Sequence, residues 1–139
     1  MATFKKLEDI IAWQKARAYN KELKSDFPEF IRLREFDLLN QLKASAGSAM
    51  DNIAEGFGRM GNAEFRNFLT IAHGSALESI SQLYRSFDFE ILKKERFEYL
   101  LQLAYEVERL IMSLFNHLLQ SEHRGVKYKH DWTPELLNL

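Results

Sequence analysis

A chain of 139 residues, 46% of them apolar, is long enough for one domain with its own core, and the absence of cysteine removes disulfides and thiolate metal sites. A net charge of −1 excludes a nucleic-acid binder that works by bulk charge, so any polyanion site has to be local. The charge is unevenly spread: residues 1–34 carry eight Lys/Arg against five Asp/Glu, residues 35–92 four against eight, and the remainder is balanced.

No run of about 18 apolar residues suggests a membrane span. The segment Met1-Ala2-Thr3-Phe4-Lys5-Lys6 lacks the apolar centre of a signal peptide, and a cysteine-free chain suits a reducing compartment. A cytoplasmic location is the expectation.

The two prolines, Pro28 and Pro134, lie outside the long periodic stretches, and glycine gathers at Gly56, Gly58 and Gly61. This punctuation predicts four helices. The first spans about 7–26, with Ala12, Ala16, Tyr19, Leu23 and Phe27 on one stripe and Leu7, Ile11 and Ala18 on another. Two apolar sides on one helix point to a core and a partner subunit. Pro28 disfavours helix at Phe27, so the stripe is expected to fray there.

The second helix, about 35–57, carries a heptad seam of Leu39, Leu42, Ala46, Ala49 and Ile53. Gly58 to Gly61 reads as a turn and helix terminator, and Asn62 as the N-cap of the third helix, about 62–88. That helix presents Phe65, Leu69, Ala72, Ala76, Ile80, Leu83 and Phe87 on one side. Gly74 in its middle costs about 1 kcal/mol relative to Ala, which calls for a packing reason. The fourth, about 93–122, has the most regular seam: Phe97, Leu100, Ala104, Val107, Ile111, Leu114 and Leu118.

Four helices with short connections and no period-two stretches predict an all-α fold, an antiparallel up-down four-helix bundle over residues 1–123. Residues 124–139 form a short C-terminal tail, docked or mobile, with a basic start and an apolar end at Trp132, Leu136, Leu137 and Leu139.

Chemistry finds little purchase. A di-iron site in such a bundle needs Glu-x-x-His pairs, and no Glu here has a His three residues later. The Gly-rich turn lacks the preceding strand and the Gly-Lys-Ser/Thr ending of a phosphate loop. Ser48 and Ser75 lack a placed base, because His73 lies two positions before Ser75 and points elsewhere on a helix. No metal, cofactor or catalytic residue is expected, and the chain reads as a non-enzyme.

Two surface features remain. Arg17, Lys21 and Lys24 make a basic line on the first helix, extended by Arg32 and Arg34, of the kind that follows a phosphate backbone through counterion release. Gln41, Ser48, Asn52, Glu55 and Arg59 on the second helix, and Ser75, Glu78 and Gln82 on the third, form polar ridges expected to run along the outer sides. Their small and amide side chains suit a hydrogen-bonded interface between subunits.

Gln41-Leu42-Lys43, Ser48, Asn52-Ile53-Ala54-Glu55-Gly56 and Arg59 resemble the helix 2 signature of the 23S rRNA intervening-sequence four-helix-bundle family. Phe68-Leu69, Ala72, Gly74-Ser75, Glu78 and Gln82-Leu83 resemble its helix 3 signature, and Ala12-Trp13-Gln14-Lys15-Ala16 with Phe27-Pro28 its opening. The resemblance covers about residues 5–120 and implies a ring-like homopentamer of bundles. A related group, accessory proteins of diversity-generating retroelements, binds nucleic acid and a reverse transcriptase through basic surfaces; for most members no activity is established. The chain departs from the pattern at Ala44 and His73, where basic residues are usual, and at Met50, where Pro is usual. Without that Pro the second helix is expected to be straighter than in relatives.

The reading is a non-enzymatic homo-oligomeric scaffold for RNA or DNA, with a protein–protein interaction module as the alternative. Arg17, Lys21, Lys24, Arg32 and Arg34 form the nucleic-acid site, and the ridges form the subunit interface.

Overall fold

The structure, a computed structural model, describes residues 4–123; the tail expected over 124–139 lies outside the described residues. Four long helices make the bundle: α1 (Ile11–Leu23), α3 (Phe36–Gly58), α4 (Asn62–Asp88) and α5 (Lys94–His123), with a short α2 (Phe27–Arg32) between the first two. There are no strands among the described residues.

The first leg is not one helix from 7 to 26. Residues Leu7–Asp9 form a 3-10 turn, Ile10 is extended, and a second 3-10 turn at Lys24–Asp26 leads into α2. The Asp9 carboxylate accepts the backbone N–H groups of Lys5 and Lys6, which fixes the first turn as a separate unit and holds its carboxyl below the ordinary range. Phe27 does not fray. It opens α2, and Pro28 sits in the first turn, where its missing N–H costs no helical hydrogen bond.

Each long helix buries its apolar stripe. Ala12, Ala16, Tyr19 and Leu23 of α1 meet Leu39, Leu42, Ala46, Ala49 and Ile53 of α3, together with the seams of α4 and α5. Each fully buried Leu, Ile or Phe in this set contributes about 1.5–3 kcal/mol of transfer free energy. Pairings across the helices fix their directions. Gln41, Ser45 and Ser48 on α3 bond Arg85, Gln82 and Ser75 on α4, so one number falls as the other rises. His73 and Tyr84 on α4 likewise meet Glu108 and Phe97 on α5. Lys15 and Glu22 on α1 meet Glu106 and Arg96. All neighbours are antiparallel. Across the centre, the buried Tyr19 hydroxyl donates to Ser79 Oγ at 3.1 Å, tying α1 to α4.

The hairpin between α3 and α4 differs from the expected glycine terminator. Met60, not a glycine, takes the left-handed conformation, with φ of 62°. Gly56 serves a spatial need instead. A Cβ there would lie 2.8 Å from Phe65 Cδ1 and 2.9 Å from Phe68 Cβ, so its absence lets α4 close onto α3. Asn62 is not the N-cap. Gly61 takes that position, while Asn62 is buried and donates from Nδ2 to the Leu118 carbonyl of α5 at 3.2 Å.

Candidate nucleic-acid interface

The basic line begins with Arg17 and Lys21 on α1 and Lys24 in the turn that follows it. All three side chains are exposed. None has a carboxylate partner among the described residues. The reason lies on the other side of the helix. Arg96 of α5 grips Asp26 through paired contacts of 3.0 and 2.9 Å and reaches Glu22 at 2.8 Å, while Lys15 pairs with Glu106. Glu22 and Asp26 are thus drawn toward α5, which leaves the exposed Arg17, Lys21 and Lys24 without an acidic partner.

Arg32 and Arg34 belong less to the line. Glu29, one turn back on α2, holds Arg32 in an exposed ion pair, lowering the Glu29 carboxyl and raising the guanidinium. Arg34 sits in a left-handed turn at φ 60° and is exposed. Sequence reasoning missed Lys43. It is exposed on α3, with its ammonium 5.0 Å from the centre of the Phe27 ring. Of the four cations in residues 35–92, Arg59 pairs with Glu55, Arg66 with Glu122 and Arg85 with Gln41, so Lys43 alone lacks a side-chain hydrogen-bond or ion-pair partner among the described residues. The available signal was its place in the Gln41-Leu42-Lys43 block.

The polar ridges do not run along two separate outer sides. They face each other across the α3–α4 groove. Ser48 and Ser75 share a hydrogen bond of 2.8 Å between their hydroxyls, and Asn52 Nδ2 donates to the Ser48 carbonyl and hydroxyl at 2.9 Å each. Ser45 donates to Gln82 Oε1, and both are buried, so the Gln82 carbonyl oxygen is satisfied inside the subunit. Gln41 Oε1 accepts from Arg85 at 3.0 Å, and Arg59 pairs with Glu55 along α3. Gln41, Ser48, Glu78 and their neighbours line an open cleft of about 340 Å³. Gln41, Glu55, Arg59 and Glu78 remain exposed, while Ser48, Asn52 and Ser75 are half-buried.

The Gly74 expectation also changes. A Cβ at Gly74 would meet nothing within 4 Å, so no packing within the subunit explains the glycine. His73 turns to α5, where Nε2 lies 2.8 Å from Glu108 Oε2, while Ser75 engages Ser48 on α3; the two cannot work as base and nucleophile. No three of His, Asp and Glu converge as metal ligands, and no helix is long and apolar enough to cross a membrane, among the described residues.

Comparison with known proteins agrees with this architecture. A crystal structure of a protein of unknown function from the S23 ribosomal protein family of Bacteroides thetaiotaomicron VPI-5482 superimposes with a TM-score of 0.71 at 23% identity. The match covers 76% of this chain and 98% of that one, a likeness of fold. No curated protein matches the chain. The profile of the 23S rRNA-intervening sequence proteins matches residues 8–113, most of the bundle, and the chain belongs to that family.

Proposed function

We propose that this protein is a non-enzymatic, cytoplasmic homo-oligomer that holds RNA or DNA on the exposed cations of the first leg. One observation carries the reading: Arg17, Lys21 and Lys24 are exposed and free of carboxylates, while Glu22 and Asp26 are engaged by Arg96. Unpaired cations in a row release counterions when they meet phosphates, which sequence-independent binding requires. The exposed and half-buried members of the α3–α4 ridges, Gln41, Ser48, Asn52, Glu55, Arg59, Ser75 and Glu78, form the contact between subunits, and the family resemblance implies five copies. Repeating a weak site around a ring raises affinity through effective concentration.

Titration with a structured RNA tests this. Binding at low salt that weakens steadily as salt rises is expected, with a solution mass several times that of the chain by light scattering. A salt-insensitive result, or no binding at low salt, overturns the nucleic-acid reading, and a strict monomer overturns the assembly. Recruitment of a protein is the second reading, favoured by exposed Ile71 and Leu77 beside the open Gly74 on α4. A complex that survives high salt and fails on Leu77→Glu supports it.

A further inference from the structure

Two aromatic residues, Trp13 and Phe27, bracket in sequence the stretch of the first leg that Asn20 pins to α3. Trp13 lies in the first turn of α1 and Phe27 opens α2; each is half-buried, packed on the core yet reached by solvent. A cation stands at each ring, with Arg17 Cζ 5.9 Å from the Trp13 centroid and Lys43 Nζ 5.0 Å from the Phe27 centroid. Asn20 lies between them. Its Nδ2 donates to the carbonyls of Ala16 at 2.8 Å and Ala46 at 2.9 Å, pinning α1 to α3. Beyond Ala46, Gly47 carries no side chain, and a Cβ there would meet nothing within 4 Å, so the α3 surface at that point is open.

We propose that this face of the first leg takes single-stranded nucleic acid, with bases stacked on Trp13 and Phe27 and phosphates on Arg17, Lys21, Lys24 and Lys43. The inference rests on the nucleic-acid reading above and narrows its ligand. Free cations alone do not distinguish a single strand from a duplex, because both present phosphates. Aromatic rings do. Bases in a duplex stack on one another and offer only their edges, whereas an open strand offers the faces that rings and guanidinium planes hold. Helix α1 also lies in the bundle wall between α3 and α5, each of which it touches, and does not project as a recognition helix.

The chain has two tryptophans, so Trp132→Phe leaves Trp13 as the sole indole reporter. Its emission is followed while a short oligouridylate, or an RNA duplex with the same number of phosphates, is added at one salt concentration. Saturable quenching by the oligouridylate is expected, with affinity about tenfold above that for the duplex. With labelled oligouridylate read by anisotropy, Trp13→Leu and Phe27→Leu each weaken single-strand binding by about tenfold and leave duplex binding unchanged. Phe27→Leu keeps an apolar side chain, so unchanged helicity by circular dichroism carries the test if Trp13→Leu fails to fold. Equal affinities with unchanged Trp13 emission overturn the single-strand inference and leave the electrostatic reading standing. Absence of salt-sensitive binding to either nucleic acid overturns both.

Discussion

Gly56 is the residue on which the α3–α4 hairpin turns. A side chain there would press against Phe65 and Phe68, including the Phe65 carbonyl at 3.2 Å, and backbone cannot move aside cheaply. Gly56→Ala is expected to cost about 1–3 kcal/mol, read as a lower urea midpoint with an unchanged slope. Sequence reasoning grouped Gly56, Gly58 and Gly61 as turn residues because all three fall in one short stretch. Spacing along the chain cannot distinguish a glycine needed for room from one that only neighbours a turn. Tyr19 offers a test by pH. Burial raises its phenol well above the ordinary value. The raised group adds stability fully below the unfolded pKa of about 10, and that stability is lost as pH rises past it. Tyr19→Phe is expected to flatten the fall in stability above pH 10 relative to wild type, as measured by chemical denaturation at a series of pH values.

Among the elements, α3, α4 and α5 fall within one residue of the helices read from sequence, because their stripes of three-four spacing are long and uninterrupted. The apolar stripe of the first leg continues through Lys24–Asp26 to Phe27, which predicts a single helix where the structure has three pieces. Periodicity does not register a local tightening to 3-10 geometry, nor the hold of Asp9 on the preceding N–H groups. Arg96 fastens the broken leg to α5 at the point where α1 ends. Arg96→Ala leaves Asp26 largely enclosed and unpaired, and a loss of about 1–3 kcal/mol is expected by thermal or urea denaturation. Gly74 tests the opposite case. With nothing near its missing Cβ, Gly74→Ala is expected to stabilise the subunit by about 1 kcal/mol. If another copy packs closely on α4, the same change lowers the solution mass, and light scattering reads the two effects apart.

At the scale of the molecule, family and fold were legible because the bundle is written in long amphipathic periods and in signature blocks on two facing helices. The candidate site was legible only in part. Arg17, Lys21 and Lys24 share one side of the first leg and could be read together, but Lys43 joins them only through the packing of α3 on α1, which no single-helix pattern contains. Each ridge faces outward on its own helix pattern; only the closure of α3 on α4 turns Ser48 to Ser75 and buries Gln82. The central claim is that unpaired cations on α1 and the turn after it hold nucleic acid by charge. It is tested most directly by the salt dependence of RNA binding in wild type and in the triple variant Arg17→Gln, Lys21→Gln, Lys24→Gln. The account expects wild-type affinity to fall log-linearly with salt, and the variant to bind more weakly with a flatter slope at unchanged helicity and mass. Wild-type affinity and slope in the variant would contradict it.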